Sequence, residues 1–113
     1  MEKFTCVFYE TESGTKPVEE FIDALDKSSW DKFDFKKGLL ENNGPALRKP
    51  HTSPLGDGIF ELKFIGKEGQ IRVLFFFWYK KVIVFLHGFV KKTQKTPAKE
   101  LRIAKQRKLK MTK

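Results

Sequence analysis

Between Ile59 and Val90 three apolar segments follow one another with almost nothing between them. Ile59–Ile65 alternates, with Phe60, Leu62 and Phe64 on one parity and Glu61 and Lys63 on the other. Ile71–Tyr79 and Val82–Val90 are apolar at nearly every position, broken only by Gly66–Gly69 and Lys80-Lys81. Connections that short cannot carry a crossover, so the three segments must be antiparallel neighbours. Their continuous apolar character implies a sheet covered on both faces.

Short turns also fix the register. A two- or four-residue loop within Gly66–Gly69 sets Lys63 opposite Arg72. The same rule applied to Lys80-Lys81 sets Leu74 opposite His87, and Arg72 opposite Phe89. Parity then assigns one wholly apolar face: Phe60, Leu62, Phe64, Ile71, Val73, Phe75, Phe77, Val82, Val84, Leu86, Gly88 and Val90. The other face collects Glu61, Lys63, Arg72, His87 and Lys91 among Leu74, Phe76, Trp78, Phe85 and Phe89. A one-residue slip would flip a strand, and Lys-Lys lacks the Gly or Asn that a two-residue turn favours.

The flanking sequence supplies helices. Phe4–Tyr9 reads as a first strand, followed by a polar loop over Glu10–Thr15. Lys16-Pro17 opens a helix whose Val18, Phe21, Ile22 and Leu25 form one stripe. Ser28 with Asp31 resembles a capping box and starts a second helix, with Trp30, Phe33 and Leu40 inward, ending at Gly44-Pro45. Pro45–Gly58 carries three prolines and reads as a loop, and Thr96-Pro97 as the start of a third helix. The expected fold is α+β: about four antiparallel strands, two N-terminal helices on one face and a C-terminal helix. A chain of 113 residues that is 40% hydrophobic and holds twelve Phe suits one domain spanning residues 1–113.

Charge is distributed unevenly. Up to Val90 thirteen Lys+Arg balance thirteen Asp+Glu, whereas residues 91–113 hold ten basic side chains against Glu100 alone. The entire net charge of +9 therefore lies in the last fifth of the chain and points to a polyanionic partner: nucleic acid, a membrane surface or an acidic protein segment. The single cysteine excludes an intramolecular disulfide, and Cys6 reads as a small buried hydrophobe in a reducing compartment. Met1-Glu2-Lys3 opens without an apolar signal region and no apolar run spans a bilayer, so a cytosolic location is expected. No metal-ligand spacing, Gly-rich phosphate loop or nucleophile elbow occurs, and neither metal nor cofactor is expected.

Two cations directly opposite each other weaken a sheet, so Lys63 and Arg72 suggest an anion site to which Lys91 adds. RNA cleavage without a metal needs little more. A 2′-hydroxyl loses its proton and attacks the adjacent phosphorus, the phosphorane charge is stabilised, and the 5′-oxygen gains a proton. Lys and Arg can hold the phosphate and stabilise that charge. His87, Glu61 or a desolvated lysine can exchange the protons. Competing structural roles are an ion pair of Lys63 or Arg72 with Glu61, and a hydrogen-bonded core position for His87. His51 reads as an exposed, uninvolved loop residue. Trp78 and Phe76 could stack on bases or lie under the terminal helix.

Several stretches together resemble a known family: Thr11–Phe21 (TESGTKPVEEF), Pro54–Lys63 (PLGDGIFELK), Ile71–Phe76 (IRVLFF) and above all His87–Pro97 (HGFVKKTQKTP). Over residues 4–110 the chain is similar to the phage-derived, HigB-like branch of the RelE/ParE toxin superfamily. The resemblance implies a compact α+β fold with a curved antiparallel sheet. It also implies a type II toxin–antitoxin toxin acting as a metal-independent endoribonuclease on ribosome-bound mRNA and inhibiting translation. The implied partners are mRNA, the ribosome and a cognate antitoxin of the HigA-like helix-turn-helix type, in a hetero-oligomer. Arg72 matches the arginine of the family's YRV strand, Lys63 a basic position in its ELR segment, and Lys91 and Lys92 the basic pair after the last strand. RelE itself carries a catalytic tyrosine near its C-terminus; here only Phe85 and Phe89 are aromatic after Tyr79. His87, Glu61 and the lysines are thus the proton-transfer candidates, while Lys91, Lys92, Lys95, Lys99, Arg102 and Lys105 are expected to bind nucleic acid. A non-cleaving nucleic-acid-binding module and a ParE-like gyrase poison are the alternatives on the same fold.

Overall fold

The computed structural model describes residues 3–113; Met1 and Glu2, part of the segment read as lacking a signal region, lie outside the described residues. The elements are β1 (Thr5–Phe8), α1 (Pro17–Asp23), α2 (Lys27–Asn43), a 3-10 turn over Gly44–Ala46, β2 (Thr52–Gly56), β3 (Ile59–Gly66), β4 (Gly69–Phe77), β5 (Val82–Lys91) and α3 (Ala98–Thr112). The sheet order is β1-β5-β4-β3-β2, with β1 parallel to β5 and every other pair antiparallel.

This is an α+β fold, but the expected purely antiparallel sheet of about four strands is a mixed sheet of five. The added strand, β2, lies inside the segment read as a loop. Its Pro54 cannot donate to a ladder, which an edge strand tolerates because only one side is paired. Prolines therefore hid a strand that only an edge could accommodate.

The two helical layers divide the core. Val18, Ile22, Phe33 and Leu40 of α1 and α2 pack on Leu62, Phe64, Ile71, Val73, Phe75, Ile83 and Phe85. Ala104, with Leu101 and Met111 of α3, packs on Tyr9, Ile59, Leu74, Phe76, Val84 and Leu86. At Gly88 a Cβ would come within 2.6 Å of the Phe21 ring, so glycine there lets α1 approach the sheet. Trp30, expected inward, is 37% exposed; the buried residue of that turn is Ser29, whose hydroxyl accepts from the Lys67 N–H and donates to Glu68. Nor does Ser28 cap α2. Asp26 is the N-cap and accepts from the Ser28 N–H at 3.0 Å.

The β3–β4 register is as the turn arithmetic requires, with Lys63 opposite Arg72 along a continuous ladder. At β4–β5 two departures cancel. The Trp78 N–H bonds the Val82 carbonyl, so the loop is Tyr79-Lys80-Lys81 rather than Lys80-Lys81, with Lys80 at φ 53°. A bulge then leaves Leu86 unpaired between Phe85, opposite Phe75, and His87, opposite Leu74. Between loop and bulge the faces are reversed from expectation: Val82, Val84 and Leu86 face α3, while Ile83 and Phe85 face α1 and α2. Beyond the bulge Leu74 faces His87 and Arg72 faces Phe89, as expected. The Leu86 carbonyl, in the unpaired stretch, accepts from Arg107 Nη1 at 2.7 Å.

Leu40, fully buried, and Trp30 separate the two halves of the α2 stripe. Leu40→Ala is expected to cost about 2–5 kcal/mol through the cavity it leaves, and Trp30→Ala less than about 1 kcal/mol. Urea denaturation of the two variants measures this, and equal losses would contradict the packing described.

Candidate functional site

Cross-strand pairing brings Lys63, Arg72 and Phe89 into one row across β3, β4 and β5. The β2 register extends that row. Thr52 is opposite Leu62, and the next residue outward, His51, accepts the Lys63 N–H on its carbonyl at 2.9 Å. Lys91, opposite Gln70, lies two rows further along the sheet.

Arg72 is the most constrained cation of the group. The residue is 8% exposed and its Nε lies 3.4 Å from Glu61 Oε1, while Glu61 itself is 6% exposed. The Nη atoms donate to the Ile71 carbonyl at 3.2 Å and to Gln70 Oε1 at 3.0 Å. The buried Nε–H makes no hydrogen bond, because its approach to Glu61 is close but poorly aimed. Thr96 donates its hydroxyl to the same Glu61 oxygen at 3.0 Å, instead of capping α3, whose N-cap is Pro97. Glu61 is thereby the counter-ion of the row and the anchor for the segment leading into α3.

Lys63 carries a destabilised charge. Burial holds its ammonium below the usual lysine range; Glu61 opposes the shift, and Arg72, Lys49 and Lys91 add to it. Lys36 on α2 is also held low, first by burial and then by Lys63. Its Nζ lies 2.8 Å from His51 Nδ1. As an ammonium Lys36 has no lone pair, so it donates to Nδ1 and fixes the imidazole proton on Nε2. Burial and the Lys36 charge hold the His51 pKa below the ordinary histidine value, favouring the neutral ring. His51, expected as an exposed loop residue, is half-buried and tied to Lys36 and to the β3 backbone at Lys63. The signal that would have found it is the pairing arithmetic itself, which needs only β2 to be recognised.

Between the Lys63–Arg72 end of the row and α2 lies an open cleft of about 680 Å³, bordered by Lys32, Phe35, Lys36, Pro50, Ile65 and Gln70. Lys91 and Lys92 with Gln70 form a second, smaller depression of about 400 Å³, which shares Gln70 with the first. The remaining residues expected at the site lie elsewhere. His87 bonds Glu100 Oε1 through Nε2 at 2.6 Å and stacks on Phe89; burial lowers its pKa against the pull of Glu100. That pairing fits the hydrogen-bonded core reading of this histidine. Lys95, Lys99 and Arg102 are exposed, whereas Lys105 pairs with Asp57 at 2.9 Å and Lys108 donates to the Asp57 carbonyl. Part of the basic helix thus ties α3 to the β2–β3 turn. Leu74 and Phe76 are buried under α3, which for Phe76 is the second of the two roles expected; Trp78 is exposed near the β4–β5 turn. Neither tyrosine lines the cleft: Tyr9 is buried beneath Arg107, and Tyr79 sits in the β4–β5 turn.

Fold and site together define a small α+β protein with a mixed five-stranded sheet and a cationic cleft beside it. Residues 20–109 match the family model described as Phage derived protein Gp49-like (DUF891), and the chain belongs to that family. The family is toxin-like, of the HigB/RelE type. No curated protein matches the chain. Among the described residues no helix is long and apolar enough to cross a membrane.

The Lys63 charge supplies a pH test of the row. A carboxylate favours the protonated amine, so removing it must lower the Lys63 pKa further. In NMR titrations of isotope-labelled lysine side chains, Glu61→Gln should move the Lys63 midpoint down. An unchanged or raised midpoint would show that Glu61 does not act on this amine.

Proposed function

We propose that the chain is a toxin of a type II toxin–antitoxin pair that cleaves mRNA, without a metal, on the ribosome. The observation that carries this function is the row of two cations on one sheet face, with a single buried carboxylate beside them and solvent-accessible space at one end. Two cations share the one carboxylate of Glu61, and a bound phosphate supplies the second anion. In the step proposed, the 2′-oxygen attacks phosphorus as its proton leaves, the negative charge grows on the non-bridging oxygens, and the 5′-oxygen departs with a proton. Arg72 and Lys63 stabilise the phosphorane, with Lys91 adding charge. Lys63 and the Lys36–His51 pair, all held below their ordinary pKa values, are the groups suited to exchanging those protons. Glu61 orients Arg72, and His87 has no part in the step.

Exposed Lys92, Lys95, Lys99 and Arg102 would steer and dock the protein on rRNA phosphates. A HigA-like helix-turn-helix antitoxin would neutralise the toxin in a hetero-oligomer by covering the same charge.

Primer-extension mapping of a message in a reconstituted translation system tests the proposal. Arg72→Ala and Lys63→Ala should each lower cleavage by about 10²-fold or more, the scale of losing one preorganised charge donor. Lys92→Ala should change it only a few-fold, and cleavage should fall steeply as salt is raised. Intact message with the unsubstituted protein would favour the non-cleaving module or the gyrase poison instead.

A further inference from the structure

Phe35 is the anomaly of the cleft. It lies on α2, a helix whose buried residues are Ser29, Phe33 and Leu40, yet its own side chain is 64% exposed. On the facing end of β3, Ile65 is 66% exposed, and Pro50 closes the same cleft. Packing does not account for an aromatic ring and a branched aliphatic side chain held in water at adjacent points of one concavity. Cations account for its position. Lys36 is the next residue on α2, and Lys63 and Arg72 line the other side of the same cleft. Nearby Asp31, the lining carboxylate, is paired with Lys27 at 2.6 Å.

An apolar, aromatic wall lining the same cleft as fixed positive charge matches the two halves of a nucleotide. The phosphate needs Lys or Arg, and the base offers a flat π-face that must leave water. A protein partner would explain the apolar wall but not three cations converging on it with one carboxylate already paired. We propose that Phe35 is a base-stacking platform, and that the cleft holds one unpaired nucleotide of a single-stranded RNA with its base on Phe35 and its phosphate on Lys63 and Arg72. This subsite rests on the RNA-cleaving function proposed above and adds a positioning residue to it. Seating the base fixes the register of the strand over the cations. Neither Phe76, buried under α3, nor Trp78, near the β4–β5 turn, serves as that platform.

Binding to a strand that cannot be cut separates the two claims. Fluorescence anisotropy would follow a labelled 2′-O-methyl oligoadenylate, which lacks the attacking hydroxyl, and the same backbone made abasic. Phe35→Ala should weaken the base-bearing strand about 5- to 50-fold and leave the abasic strand within about twofold. Phe35→Trp should retain affinity within about threefold and gain an indole emission that quenches on binding, above the Trp30 and Trp78 background. Thermal unfolding should be unchanged in both variants, since the side chain is largely outside the core. Equal losses on both strands, no loss on either, or no binding by the unsubstituted protein would overturn the platform; the last two would leave Phe35 and Ile65 as a protein-docking patch. Absence of any base-dependent binding by the unsubstituted protein, alongside intact cleavage, would fail this inference alone. Base-dependent binding without cleavage of the matching ribo-oligonucleotide on the ribosome would fail only the catalytic proposal.

Discussion

Arg72 is a guanidinium carried into the middle of a sheet, and the surrounding face is built to tolerate it. A buried charge left unpaired is expensive, and removing the partner of a buried ion pair typically costs about 3–5 kcal/mol. Glu61 supplies the opposite charge from the neighbouring strand, Gln70 and the Ile71 carbonyl take the Nη protons, and Thr96 holds Glu61 in turn. One Nε–H remains without a hydrogen bond. The β3–β4 ladder makes the arrangement obligatory, because a continuous register puts Lys63 directly across from Arg72. Structure alone gives no reason to place a second cation there. In the function proposed, the phosphate of the bound RNA gives that reason.

The same face explains how the basic end of the chain is used. Its charge is not one homogeneous surface. Lys105, Arg107 and Lys108 are spent on joining α3 to the sheet, through Asp57 and the Leu86 carbonyl. Lys91 adds to the field around Lys63, and Lys92, Lys95, Lys99 and Arg102 remain outward. Closing α3 over Leu74, Phe76 and Val84 makes a second small core and confines the accessible part of the cationic row to the end near α2.

Much of this was legible in the residues. Short turns between apolar runs determine an antiparallel meander, and the Gly66–Gly69 connection determines the pairing that matters most. The β4–β5 pairing came out right at His87, Phe89 and Lys91 although the turn is one residue longer than assumed, because the bulge at Leu86 restores the count. Only Val82–Leu86, between the two irregularities, changed faces. What composition concealed was β2, whose prolines look like a loop unless edge pairing is considered, and with it the position of His51 opposite Lys63. Phe35 was illegible for a different reason: it falls outside the Trp30, Phe33 and Leu40 stripe, and helical periodicity alone does not show that an outward ring lines a cleft.

The central claim, that the Lys63–Arg72 row acts on a phosphodiester through the neighbouring 2′-oxygen, is tested most directly by the chemistry of the RNA ends. Messages incubated with ribosomes and the protein should carry 2′,3′-cyclic phosphate and 5′-hydroxyl termini at the cut, and these should vanish with Arg72→Ala. Termini bearing a 3′-hydroxyl and a 5′-phosphate, or cuts unaffected by that substitution, would contradict it.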